Sequence, residues 1–200
     1  MERTTKDRIL DEALIMFAEH GYRGANLRDL AARLELSKSA LYKHYESKEA
    51  IWNALLDKME AYYAARFGSM DNLPPTPDSW EAFAQMAMGM LRFTVHDPQI
   101  ILTRKLLITE QFHDQRVCRL ATKHFLEGTA NIYSKIFEGM MARGLLNTDD
   151  VTMLAFSFTA PISALVHLCD REPDRHDEVF QRMEAFIRHF IAAHAKGENP

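Results

Sequence analysis

A chain of 200 residues with 47% apolar side chains can bury a real core in one or two domains, which excludes a disordered tail. Its net charge of −4 excludes a protein that is basic throughout. The two cysteines, Cys118 and Cys169, are too few for a disulfide framework. Reduced thiols and a cytoplasmic protein are expected, and the charged start MERTTKDRILDE is unlike a signal peptide.

The predicted elements are all helical. The first helix starts near Thr4 or Thr5, where Thr4 and Asp7 make a capping-box-like pair. Ile9, Leu10, Ala13, Leu14 and Phe17 form its buried stripe, and Gly21 stops it. Asn26 caps a second helix, with Asp29 in its first turn and Leu27, Leu30, Ala31 and Leu34 on one face. Glu35-Leu36-Ser37 breaks that pattern, and Ser37 caps a third helix in which Ala40 and Leu41 point inward. Two helices joined by so short a turn describe a helix-turn-helix, whose second helix can enter the DNA major groove. Between residues 21 and 48 the cations Arg23, Arg28, Arg33, Lys38, Lys43 and Lys48 face only Asp29, Glu35 and Glu46. Lys38, Tyr42, Lys43, His44, Tyr45 and Lys48 interleave bases, rings and hydroxyls, the groups that hold phosphates. Periodicity and charge fit a small helical hairpin with a solvated basic face equally well.

The fourth helix runs from Ser47 to about Phe67, with Ile51, Ala54, Leu55, Lys58, Met59 and Tyr62 in period, a rod of about 30 Å. The prolines and glycine of residues 68–78 forbid helix. The domain boundary is nevertheless placed near residue 46, giving domains 1–46 and 47–200, because the fourth helix serves both mechanically. The fifth helix spans Ser79 to His96, and the sixth, opened by Pro98, covers Ile100 to Phe112. The seventh is long, from Gln115 to Arg143, and Gly144 caps it. The eighth starts at Asp149 or Asp150, ends near Cys169 and is expected to kink at Pro161. The ninth spans Asp174 to Lys196, and the tail GENP is expected to fray. Val151 to Cys169 carries no Asp, Glu, Lys or Arg and is long enough to span a bilayer. Its Thr152, Ser157, Thr159, Pro161, Ser163 and His167 favour a buried helix, with no membrane partner.

The wording of the N-terminal segment resembles the DNA-binding domain of TetR-family transcriptional regulators. The signs are Phe17, Ala18, Gly21 and Tyr22; Leu27, Leu30 and Ala31; Leu36 to Tyr42; and His44 to Glu49. The likeness runs from about Lys6 to Leu56. It implies an all-α fold of about nine helices, with an N-terminal three-helix helix-turn-helix domain and a larger helical domain for ligand binding and dimerisation. It also implies that the helix after Ser37 reads DNA and that Lys48 contacts a phosphate. Accordingly Ser37, Lys38, Ser39, Ala40 and Tyr42 are placed at the groove. Arg28, Lys43, His44 and Lys48 are placed at the backbone, with Asn26 at the cap beside them. The family more often carries Thr at the positions of Asn26 and Ala40, and Ala40 can offer only a methyl contact to thymine.

Gly-rich phosphate loops, Gly-x-Ser-x-Gly, His-Glu-x-x-His and Cys-x-x-Cys are absent from the sequence, and its nine histidines are scattered. Neither an enzyme nor a cofactor or metal is expected. Eleven methionines suit a pocket that adapts to apolar ligands. Phe83, Met86, Met90, Phe93, Leu106, Phe125, Tyr133 and Phe137 are the pocket candidates. The eighth and ninth helices are apolar over more than one face. That suggests a two-fold four-helix bundle in a homodimer, with Phe158, Ile162, Leu165, Phe180, Met183, Ile187 and Phe190 at the interface. The reading is a DNA-binding regulator, by resemblance a repressor, that binds a palindromic double-stranded operator and is released by a small apolar ligand. Its rivals are a helical carrier or bundle protein without specific DNA binding, and a metal-dependent helical enzyme.

Overall fold

Side-chain oxygens fix most of the helix starts. In the computed structural model, which describes residues 4–68, 72–146 and 150–195, Thr4 and Asp7 bond reciprocally and open α1 (Thr5–Gly24). Asn26 caps α2 (Leu27–Arg33) and Ser37 caps α3 (Lys38–His44). Ser47 Oγ accepts the Ala50 N–H at 3.0 Å in the first turn of α4 (Lys48–Phe67). Ser79 caps α5 (Trp80–His96), and α6 (Pro98–Glu110) follows two residues later. Asp150 caps α9 (Val151–Arg171), and a short 3-10 turn, Pro173–Arg175, leads into α10 (His176–His194). Pro161 lies inside α9 without ending it. The expected tail fraying and the role of Asp149 concern residues outside those described.

The long seventh helix of the sequence reading is one run with a widened turn inside it. α7 (Gln115–Thr122) passes through a π turn, Lys123–Glu127, into α8 (Gly128–Ala142). Counted as one rod, this run gives nine helical rods among the described residues, and the fold is all-α. The widened turn brings the Lys123 carbonyl against Gly128, where a Cβ would lie 2.6 Å from that oxygen. Thr129 Oγ1 donates to the His124 carbonyl at 3.0 Å, satisfying a group that the turn displaces.

Backbone proximity divides the chain into two compact units. The first holds residues 1–64 and 98–121; the second holds residues 65–97 and 122–200. The chain passes between them within α4, between α5 and α6, and at the end of α7. In the first unit α6 packs along α1. Its interior includes Ile9, Phe17, Leu30, Leu41, Ile51, Leu55, Leu56, Leu106 and Val117. The second unit is built on rings. Phe83 of α5, Tyr133 and Phe137 of α8, Phe158 of α9 and Phe190 of α10 meet with centroids 4.8–6.4 Å apart.

This core sets the surroundings of the residues expected at a pocket or an interface. Phe158, Met183, Ile187 and Phe190 are between 0% and 5% exposed within the single chain and belong to its own core. Ile162, Leu165 and Phe180 are half-buried against the same core. Phe83 and Phe137 have no exposed surface, so neither borders a space large enough for water, and Tyr133 is 5% exposed with its hydroxyl on Met90 Sδ at 3.6 Å. Leu106 lies in the first unit, buried on α6, and is not grouped with the other pocket candidates. Met86 and Met90 flank the core half-buried, Phe93 lies against Phe67, and Phe125 lies edge-on to His167. Periodicity reports that a residue faces inward, and it cannot distinguish a core from a cavity or an interface.

Two glycine substitutions test this description. Gly128→Ala forces a Cβ into backbone and should lower unfolding stability by about 1–3 kcal/mol in urea titrations. Gly89→Ala, inside α5 with open space at its Cβ, should raise stability by up to about 1 kcal/mol. Equal effects of the two would contradict the geometry of the π turn.

Candidate nucleic-acid interface

The helix-turn-helix is assembled from two short helices with a strained turn between them. Glu35 adopts φ 57°, the left-handed region that a non-glycine residue rarely occupies, and this reverses the chain between α2 and α3. Leu30, Ala31 and Leu41 are buried beneath it, so the opposite faces of both helices are outside. Arg28, Lys38, Ser39, Tyr42 and Lys43 are exposed, with Tyr42 at 40%. The Lys38 ammonium lies 5.6 Å from the Tyr42 ring centroid. Ser37 Oγ accepts the Ala40 N–H at 3.1 Å and bonds to Ser39 Oγ at 3.0 Å, so its hydroxyl is engaged in capping. Ala40 and His44 are half-buried.

An open depression beside α3 gathers Arg23, Asn26, Arg28, Lys38, Tyr42, Glu46, Ser47 and Lys48, with Gly24, Ala25 and Leu27. Four cations against one carboxylate make it a place for an anion chain. Of the residues expected from sequence, it brings together Asn26, Arg28, Lys38, Tyr42 and Lys48. Ser37, Ser39, Ala40, Lys43 and His44 are outside it. Arg23 and Ser47 were not foreseen. Arg23 carried only a charge as its signal, and its placement follows from the bend at Gly21. Arg33, the remaining cation of this stretch, turns back to Glu12 at 3.0 Å and Glu19 at 3.4 Å.

Lys48 is held from within. Its ammonium donates to the Ala25 carbonyl at 2.6 Å and lies 4.7 Å from the Tyr22 ring centroid. Burial pushes its pKa below the ordinary lysine value, and the Glu110 charge opposes that shift. Tyr22 also packs on Trp52, at 5.0 Å, and Trp52 meets Phe17 edge-on at 5.1 Å. The indole Nε1–H donates to Asp114 Oδ2 at 2.8 Å. Asp114 Oδ1 also accepts the N–H groups of Arg116 at 2.7 Å and Val117 at 3.3 Å at the start of α7. Burial pushes the Asp114 carboxyl up, but the Trp52 bond, the two backbone bonds and the Arg116 charge together hold it below the ordinary aspartate value. Arg116 reaches Asn53 and Asp57 on α4. Among the described residues, no group of three or more His, Cys, Asp or Glu could hold a metal ion.

An all-helical chain whose two short N-terminal helices present a cationic outer face over a buried apolar one is a helix-turn-helix protein. Residues 9–55 match the family model described as bacterial regulatory proteins, tetR family. A negative transcriptional regulator of the biofilm operon icaADBC, IcaR of Staphylococcus epidermidis, is 36% identical over 58 residues, 29% of this chain and 31% of that protein. IcaR of Staphylococcus aureus is 43% identical over 47 residues, 24% of this chain and 25% of that protein. Each match therefore spans less than a third of these curated relatives. Among solved structures, SmeT, the repressor of the Stenotrophomonas maltophilia multidrug efflux pump SmeDEF, aligns with TM-score 0.69 at 17% identity, over 98% of this chain and 93% of SmeT. A TetR transcriptional regulator from Chloroflexus aurantiacus aligns with TM-score 0.72 at 20% identity, over 96% of each chain. Residues 9–55 thus resemble the tetR-family model, and the chain as a whole shares the fold of these regulators.

The Asp114 arrangement sets a pH dependence. A carboxyl held below its ordinary value stabilises the fold above that value and loses the contribution as pH falls through the folded-state pKa. Trp52→Phe removes the indole bond, so Asp114 titrates nearer its ordinary value. The fall of the thermal midpoint on acidification should then begin at a higher pH than in the unchanged protein. Parallel profiles for the two proteins would show that the bond does not govern Asp114.

Proposed function

We propose that the chain is a DNA-binding transcriptional repressor that holds a palindromic operator as a homodimer and releases it on binding a small, mostly apolar ligand. The observation that carries the reading is the depression in which Arg23, Arg28, Lys38 and Lys48 converge beside the exposed face of α3. Phosphate contacts from such cations position a helix-turn-helix, and the exposed Lys38, Ser39 and Tyr42 then reach base edges. Residues 1–46 are assigned to DNA reading and residues 47–200 to sensing and pairing. A regulator of this kind works in the compartment that holds the DNA, here the cytoplasm. The described role of IcaR as a negative regulator and of SmeT as a repressor supports repression over activation.

Pairing is supported by α9. It is the one helix among the described residues long and apolar enough to cross a membrane by length and composition, yet only 28% of its most apolar window is buried within the chain. Leu154, Ala155, Phe158 and Val166 occupy the core side. Met153 is 60% and Phe156 45% exposed, and Ala160 and Ala164 continue that outer stripe at helical spacing. Small residues following two large apolar ones suit close approach of a second helix, and a two-fold partner would cover the stripe with its own copy. Sensing is assigned to the second unit, where Met86, Met88 and Met90 flank the aromatic core half-buried and can adjust to an apolar guest. α4 runs from the head into that unit and offers a covalent route for the ligand's effect; a coupling of about 1–3 kcal/mol is the usual size.

A gel-shift titration with the intergenic duplex upstream of the chain's own coding sequence tests the reading. Saturable retardation that survives excess mixed-sequence competitor is expected, and its absence would reject an operator-specific regulator. In the same assay Lys48→Ala should weaken binding to both duplexes, with a salt slope smaller by about 0.9. Tyr42→Ala should weaken operator binding while leaving the thermal midpoint unchanged. Phe156→Glu places a charge on the outer stripe of α9. Light scattering should find single subunits for that variant and pairs for the unchanged protein; pairs in both would move the interface elsewhere.

A further inference from the structure

We propose that Glu110 is a positioning residue for DNA binding: from the end of α6 its buried carboxylate holds the α1–α2 junction so that Lys48 and Asn26 face a phosphate. The inference rests on the DNA-binding reading above and extends it to a residue that does not line the depression. Glu110 is 7% exposed. A carboxylate so buried needs hydrogen-bond donors, and Oε1 accepts the Tyr22 N–H at 3.1 Å. The approach is possible because residue 21 is glycine. Gly21 has φ +70°, and a Cβ there would lie 2.7 Å from Glu110 Oε1. The sequence thus leaves a slot at the end of α1 that the carboxylate fills.

From that slot the contacts lead outward. Tyr22, fixed by its amide, carries its ring to 4.7 Å from the Lys48 ammonium. Lys48 in turn donates to the carbonyl of Ala25 at 2.6 Å. Ala25 directly precedes Asn26, whose Oδ1 accepts the Arg28 N–H at 2.9 Å. The Glu110 charge also favours the protonated form of Lys48 against the effect of burial. A second carboxylate four residues on secures the same ring from the other side. Asp114 holds the Trp52 indole, which packs on Tyr22 at 5.0 Å. With both carboxylates in place, the cations of the depression are set by α6 and α7, which do not themselves face it.

The test uses the full chain, the intergenic duplex upstream of its own coding sequence and a mixed-sequence duplex, titrated between about 50 and 200 mM salt. Glu110→Ala should weaken binding to both about tenfold, the scale of one lost charge-assisted bond, and reduce the salt slope by about 0.9. Glu110→Gln, whose amide oxygen can still accept the Tyr22 N–H, should recover most of the affinity. Because the effect passes through Lys48, adding Glu110→Ala to Lys48→Ala should weaken binding less than about twofold further. If Glu110→Ala fails to fold, Glu110→Asp, which keeps the charge but shortens the reach, should show the same losses. A lowered thermal midpoint with unchanged affinity and salt slope would overturn the role, as would a full tenfold loss in the Lys48→Ala background. Failure of the unchanged protein to bind either duplex would reject the DNA reading itself, whereas binding that is indifferent to residue 110 rejects only this inference.

Discussion

One part-buried hydrogen bond, from the Tyr22 amide to the Glu110 carboxylate, ties the segment ahead of the helix-turn-helix to α6. α1 bends at Gly21, and the amide beyond the bend is bound by a carboxylate from another helix. An amide withdrawn from water without a partner is costly, so this bond fixes the chain just beyond the bend. The Tyr22 ring then becomes the floor for Lys48 and a wall for Trp52. The consequence is a head that is more than three helices. α6 and α7 pack with it as one compact unit although they follow α5 in the chain. The setting of the cations proposed to meet DNA is therefore written partly in residues 98–121.

The second unit follows a different logic. Its interior is a contiguous group of aromatic rings from α5, α8, α9 and α10, which holds the helices together. α9 is apolar on both sides. Phe158 points into the rings, while Met153 and Phe156 point out. The inward side accounts for folding, and the outward side is the one assigned to the proposed pairing. The half-buried methionines of α5 border the rings. They are the softest part of the unit and the part best able to rearrange around a guest.

How much of this was legible in the sequence depends on the range of the interaction. Local chemistry read well. Thr4, Asn26 and Ser37 cap helices as the sequence suggests, and Ser79 and Asp150, read only as helix starts, are caps as well. The all-α fold and the helix-turn-helix were readable from periodicity and from the wording of residues 17–49. Long-range choices did not read. Nothing local in α6 says that Leu106 packs in the first unit, or that Glu110 reaches back 88 residues to Tyr22. The stripe Phe180, Met183, Ile187 and Phe190 was visible, but period alone could not say that its deepest members close the core rather than meet a partner. The π turn escaped because Gly128 in a long helical run reads as an ordinary helical glycine. Its reason is the Lys123 carbonyl, which a one-dimensional pattern does not place beside it.

Hydroxyl-radical footprinting of the upstream intergenic duplex tests the central claim most directly, since it reads the geometry of the bound protein on DNA. Two heads carried by one pair of subunits should protect two patches on the same face of the duplex, with centres about 10–10.5 base pairs apart or a whole multiple of that. A single protected patch, or uniform protection without a centre, would contradict a paired helix-turn-helix protein reading a two-fold operator.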